Sequence, residues 1–299
     1  MACLATLLRR GILTALAILV LQSPAWAQTA EAPGAAALRS QYASLRPLLA
    51  DNPFQGPLYL VSAQTSRNLT GDVHAVVEHP FAAVSAALGK PENWCDLMIL
   101  HQNVKYCRRG VDAGVSQIEL RVGKKFDQPL AAASRVSFAF RALDVSPEYL
   151  AVELEAPDGP FDTFGYRILL EATPLADGRT FIHMAYSFGY GAMSRVAMQL
   201  YLATIGRDKV GFTSTAKPGE PPAYIGGMRG LVERNTMRYY LAIDAYLDAL
   251  AAPPAQRLEK RLRDWFDATE KYPRQLHEMS RDAYLAMKRH EYQRQQAPQ

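Results

Sequence analysis

Absences bound this chain before any motif does. Lysine and arginine outnumber aspartate and glutamate by 33 to 29, a formal net charge of +4 over 299 residues, and no dense basic block gathers that excess. Nucleic-acid binding asks for a basic stripe with interleaved aromatic residues, so no nucleic-acid partner is expected. Cysteine is scarce, three residues in all. Cys95 and Cys107 lack the tight Cys-x-x-Cys spacing of common zinc sites, so no metal is expected. There is no Gly-x-Ser-x-Gly elbow, no His-Glu-x-x-His pair and no phosphate-binding glycine loop. Catalytic residues therefore stay unassigned, and nothing calls for a cofactor. No fixed-period repeat is visible. After the N-terminus, no stretch supplies the roughly 20 apolar residues of a membrane-spanning helix.

What is present begins with an export signal. Arg9 and Arg10 precede an apolar run over 11–21, followed by Ala25, Trp26 and Ala27. A charged start, a short apolar centre and a small-x-small ending predict a secretory signal peptide over 1–27, cleaved near Ala27; a retained anchor is the alternative. The expected product is periplasmic or secreted. Cleavage removes Cys3 and leaves Cys95 and Cys107 as the one intramolecular pair, which an oxidising compartment favours. His101, between them, reads as a surface or loop histidine.

Periodicity divides the mature chain into a lead-in over 28–56, a main domain over 57–252 and a helical extension over 253–299. The lead-in holds a candidate helix over 37–50 that ends at Asp51, Asn52 and Pro53. The first well-marked strand carries Val73, Ala75 and Val77; helices follow over 81–88 and 91–99, then strands over 104–108, 115–122, 135–143, 149–154, 166–172 and 181–190. Alternation with a period of two predicts an antiparallel sheet with one buried and one wet face, with His183 on the wet side. A last strand is expected over 210–215. The longest amphipathic run, 227–251, puts Val232, Tyr239, Ile243, Tyr246 and Leu250 on one stripe. Arg234, Arg238, Asp244 and Asp248 lie opposite, and Arg229 with Glu233 reads as a weak surface ion pair. Tyr239, Tyr240 and Tyr246 each combine an apolar body with a polar tip. The stripe either closes one side of an internal cavity or packs as ordinary core.

Two segments, GDVHAVVEHPFAAVSAALGKPENWCDL and GLVERNTMRYYLAIDAYLDAL, together with this element order, resemble the START-like or SRPBCC superfamily over about residues 68–252. The resemblance implies an α+β helix-grip fold, a curved antiparallel sheet wrapped around a long C-terminal helix, here with extra C-terminal helices. It also implies a cavity for lipids, sterols, polyketides or other apolar molecules, and some members are enzymes. The expected ligand-facing residues are Phe138, Phe140, Tyr166, Met184, Tyr186, Phe188 and Tyr190 from strands, with Val232, Asn235, Tyr239 and Ile243 from the helix; each can equally be a satisfied core residue. The leading expectation is a carrier of an apolar small molecule. A cyclase or hydrolase using the same cavity is the second, and a protein-interaction module acting through the C-terminal helices the third. Residues 193–206 read as an inserted helix with Val196, Leu200 and Ala203 on its apolar side. It is either a lid that makes transient membrane contact or an extra core helix. The tail reads as helices over 254–269 and 273–293, with apolar stripes of Leu258, Leu262, Trp265 and Phe266, and of Leu276, Met279, Ala283, Tyr284 and Met287. Their alternating charges are expected to face solvent.

Overall fold

The computed structural model describes residues 34–297 apart from Ile205 and Pro218, so the signal-peptide expectation over 1–27 lies outside the described residues. Among these, the strands are β1 (Leu58–Gln64), β2 (Asn68–Val77), β3 (Val104–Asp112), β4 (Val115–Val122), β5 (Ser134–Val145), β6 (Leu150–Asp158), β7 (Thr163–Pro174) and β8 (Thr180–Tyr190). They form one sheet in the order β1-β2-β8-β7-β6-β5-β4-β3, antiparallel at every pairing. Strands β3 to β8 make a meander, and β2 closes against β8. Register shifts at Val104/Tyr106, Ala142/Asp144 and Phe164/Arg167 bend the strands locally and add twist, as an extra residue in one strand of a pair does.

The helices are α1 (Ala35–Ala50), α2 (Phe81–Leu88), α3 (Trp94–Met98), α4 (Ala192–Ala203), α5 (Gly227–Asp248), α6 (Arg257–Glu270), α7 (Pro273–Leu276) and α8 (Arg281–Gln296). Helix α5 lies against β1, β2 and β8. Val232, Ile243 and Tyr246 meet the inward set Ile182, Met184, Tyr186, Phe188 and Tyr190 in one hydrophobic core. At Gly71 the contact is close: a Cβ there would stand 2.3 Å from Thr236 Oγ1, so only glycine lets β2 approach the helix this nearly. The antiparallel sheet around a long helix is the helix-grip arrangement.

Several expectations need correction. Helix α5 is buried nearly all round, because α6, α7 and the link to α8 fold back over its outer side. Arg234 and Arg238 are buried and not solvent-facing. Arg234 Nη1 donates to Val210 O at 3.1 Å and Arg238 Nη2 to Glu278 Oε1 at 2.8 Å, which offsets their desolvation. Arg229 and Glu233 are no surface pair. Glu233 is fully buried and accepts from Ser62 Oγ, Phe212 N, Thr213 N and Thr213 Oγ1, while Arg229 Nε donates to Ser62 Oγ at 3.0 Å. That clasp explains why 210–215 is no strand. Phe212 N and Thr213 N go to the carboxylate, and the remaining pairing is a short ribbon with 223–225, Gly211 N to Ile225 O, Ile225 N to Thr213 O and Thr215 N to Ala223 O, around the bridge of Ser214 with Tyr224. The alternation at Val73 misses β1 and the first residues of β2, which starts at Asn68.

The sheet is also not wet across its whole outer face. Helix α1 covers part of it, with Leu38 and Leu49 packed among Val76, Tyr149, Ala151 and Phe181. His183 is therefore buried, its Nδ1 2.8 Å from Glu171 Oε2 and its Nε2 3.0 Å from Asp72 Oδ1. In the tail, Ala283 is exposed, whereas Lys288 and Glu291 are fully buried. Helix α8 caps the edge strand β3. Gln295 Oε1 accepts from Cys107 N at 3.1 Å and Arg294 Nη2 donates to Lys105 O at 3.3 Å, which occupies edge groups that would otherwise be free to pair. Cys95 and Cys107 form a disulfide between α3 and β3, with a Cα–Cα distance of 5.3 Å.

Candidate functional site

Period-two alternation sends Phe138 of β5, Tyr166 of β7 and Tyr186 and Phe188 of β8 to the inner face, where Asn235 and Tyr239 of α5 confront them. The rings form a continuous wall. Phe188 stacks on Tyr166 with centroids 5.2 Å apart, Tyr166 meets Tyr186 at 6.4 Å, and Tyr186 meets Tyr239 at 5.3 Å. Beside this wall the helix and sheet do not mesh. A cavity of about 380 Å³ extends from the wall to the loop after α3 and the β4–β5 connection. An adjoining lobe of about 420 Å³ reaches α4 past Phe188, Met198 and Leu231. Tyr166, Tyr186 and Asn235 border both spaces, which makes them two lobes of one cleft.

The mouth is shaped by the turn Pro160–Asp162 and by α4. Phe161 and Asp162 adopt left-handed backbone with φ of 57° and 60°, unusual for residues with a Cβ. Thr163 Oγ1 donates to Pro160 O at 2.5 Å, and Ser194 Oγ and Gly191 N donate to Asp162 O at 3.2 and 3.1 Å. The result presents Phe161 outward, 81% exposed, beside Ser194 and Met198 of α4, whose Val196 and Leu200 are each 65% exposed. Helix α4 is therefore not an interior packing helix. Met198 touches the core while Val196 and Leu200 face away from it.

The opposite end of the cleft is polar. His101 is only 3% exposed, which corrects its reading as a surface residue, and its ring stacks on Tyr239 at 4.9 Å. Its Nδ1 accepts from the Asn103 backbone N–H at 3.2 Å, so the proton sits on Nε2. Burial lowers its pKa well below the usual histidine range, assisted by Arg238, Lys288, Lys125 and Lys105, and the ring is neutral. Gln128 Oε1 accepts from Lys124 N at 2.9 Å, which fixes the amide with its nitrogen as the remaining donor.

Of the residues expected to face a ligand, Phe138, Tyr166, Tyr186, Phe188, Asn235 and Tyr239 line the cleft. Phe140, Met184, Tyr190, Val232 and Ile243 do not. Phe140 packs on Trp94 at 6.0 Å, Tyr190 OH donates to Thr65 O at 2.8 Å, and Met184, Val232 and Ile243 are core. His101, Asn103, Lys124 and Gln128 also line it and were not anticipated. They sit in connections, where no periodicity marks an inward side chain. Burial raises the pKa of Tyr166; burial with Tyr166 and Tyr239 raises Tyr186, and burial with Tyr166 raises Tyr239. These hydroxyls stay neutral, able to donate and accept hydrogen bonds. Among the described residues, no carboxylate or thiol lines either lobe.

The sequence matches no protein-family model and no curated protein. Similar solved structures include a point mutant of norcoclaurine synthase from Thalictrum flavum in complex with a transition-state analogue, 11% identical over 48% of this chain and 86% of that one, with a TM-score of 0.34. A protein from Arthrobacter aurescens is 13% identical over 61% of this chain and 87% of that one, at 0.34. Ara h 8.0201 is 13% identical over 46% and 91%, at 0.32. With likeness this distant, the helix-grip description rests on the strand order and the helix it encloses.

Proposed function

We propose that this chain binds and carries an apolar or amphipathic small molecule, lipid- or sterol-like in bulk, without changing it chemically. The supporting observation is the two-lobed cleft, whose aromatic wall offers a large apolar contact and whose polar tips give a few oriented hydrogen bonds, the usual make-up of a small-molecule site. The lining holds no carboxylate or thiol among the described residues, and His101 has its Nδ1 engaged by the Asn103 N–H, which favours carriage over a hydrolase or cyclase that needs a general base. The tail helices are spent on covering α5, which weakens the reading of them as a partner-docking module. We also propose that the carrier works outside the cytoplasm. The signal-like start and the Cys95–Cys107 bridge both suit an oxidising compartment. Phe161 at the mouth and the exposed Val196 and Leu200 of α4 are then apolar groups able to meet a bilayer as a ligand passes.

A neutral apolar dye tests the reading. Nile red should bind saturably, and Asn235→Trp, which fills the wall shared by both lobes, should weaken binding by about tenfold or more. Unchanged binding in that variant would place the dye elsewhere and remove the support. With dye bound, amide exchange over α4 should slow; exchange that does not change would discard the lid.

A further inference from the structure

Two buried donors at the polar end of the cleft have no partner among the described residues: His101 Nε2–H and the Gln128 side-chain nitrogen. Gln128 is 9% exposed, and both residues line the cleft. Gln102 Oε1 is also unpaired but does not line it. Beside the two donors stands Lys124, whose ammonium lies 5.5 Å from the Phe126 ring centre and forms no ion pair among the described residues. A buried donor left without an acceptor keeps its full desolvation cost, so two at one end of a cavity indicate that something accepting belongs there.

Charge behind this wall indicates the sign of that group. Glu278 is shared by Lys125, Lys209 and Arg238, and Glu291 by Lys105 and Lys288. Five cations thus rest on two carboxylates, while Arg294 and Asp127 balance each other at 3.9 Å. Lys288 Nζ donates to His101 O at 2.7 Å and Val104 O at 2.8 Å, and both of those residues border the cavity. Lys105, Lys288 and Arg238 are buried while Lys125 and Lys209 are partly exposed, and an excess of cations that water screens only in part favours an anion and repels a cation.

Building on the binding function proposed above, we infer that the ligand is an amphipathic anion. Its carboxylate sits among His101, Lys124 and Gln128, and its apolar body runs along Tyr239, Tyr186 and Tyr166 toward the Phe188 lobe. Burial, reinforced by Arg238, drives the Lys125 pKa down to about 8, and burial drives Lys288 to about 8 against the pull of Glu291. A bound carboxylate would relieve both. A neutral head group could fill the donors but would leave the charge excess unanswered.

Three probes with one aromatic body and different heads separate the outcomes: naphthylacetate, naphthylethanol and naphthylethylamine, measured by titration calorimetry at neutral pH on the full mature chain. The acid should bind about tenfold tighter than the alcohol, as a charge-assisted contact at a buried site allows, and the amine weakest. Lys124 is exposed, so Lys124→Glu should fold normally and cut the ratio of acid to alcohol affinity by about tenfold. His101→Phe keeps the stack on Tyr239, removes the donor and should lower the same ratio. Equal binding of all three probes, or an acid preference that survives both substitutions, overturns the anionic head group and leaves an apolar pocket standing. Failure of all three to bind a folded protein overturns the pocket as well.

Discussion

Glu233 shows how far a single residue can depart from its local pattern. Four residues after Arg229 on a helix, it has the spacing of a surface pair, yet it is wholly buried and meets donors from β1 and from the 212–213 backbone. Those four hydrogen bonds fasten the segment before α5 to both the helix and the sheet. Because the Phe212 and Thr213 backbone N–H groups can only donate, Glu233→Leu would leave both without their acceptor. The expected loss is about 3 kcal/mol of unfolding free energy in urea; a loss below about 0.5 kcal/mol would mean that the clasp contributes little. Tyr186 and Asn235 illustrate the reverse case. Strand alternation points Tyr186 inward and the family resemblance makes Asn235 a cavity-facing candidate, and both line the cleft.

At the scale of elements, the layer between α1 and the outer face of the sheet adds a pH dependence. His183 is clamped by Glu171 and Asp72, its ring stacks on His74 at 4.4 Å, and Tyr149 OH donates to Glu171. Burial opposes a charge on His183, but the hydrogen bonds and charges of Asp72 and Glu171 prevail and raise its pKa from 6.5 to about 9. His74, buried beside a charged neighbour, is lowered to about 4. A histidine raised in the folded state binds its proton more tightly there than in the unfolded chain, so its stabilisation is complete below about pH 6.5 and lost as pH rises through about 9. The parent should therefore exceed His183→Gln by at most on the order of 3 kcal/mol near pH 6, with the gap closing above about pH 9. A gap independent of pH would show that this proton is not linked to folding. Helix α4 supplies the contrast, since its exposed Val196 and Leu200 mark an element placed by the cleft mouth and not by the core.

For the whole molecule, the tail changes what the grip means. Trp265 stacks on Tyr284 at 5.0 Å and donates from Nε1 to Arg238 O at 3.1 Å, so α6 covers the outer side of α5 and α8 packs behind α6. The same tail positions Lys288 and Glu291 behind His101, so the polarity of the cleft depends on residues far along the chain. The proposed export adds one expectation. Protein isolated from its host should have the mass of a chain beginning near Gln28, and with Cys3 removed it should show no free thiol under denaturing, non-reducing conditions. Two free thiols would remove the bridge and the roughly 2–3 kcal/mol it contributes by constraining the unfolded chain. An uncleaved mass would refute signal-peptide processing.

Sequence alone determined the succession from β2 to β8, the inward set on β5, β7 and β8, and the one cysteine pair, because each follows from local periodicity or from counting; β1 and the missing strand over 210–215 did not. Helices over 81–88 and 227–251 were legible for the same reason: an apolar stripe and a following break are written in consecutive residues. Tertiary structure decided the rest. Whether Glu233, Arg238, His101 and His183 meet water depends on α1, on the 212–213 backbone and on a tail dozens of residues away, and no local pattern carries that information. The cleft itself belongs to this second kind, since a gap between helix and sheet is set by how two correctly read surfaces fail to mesh.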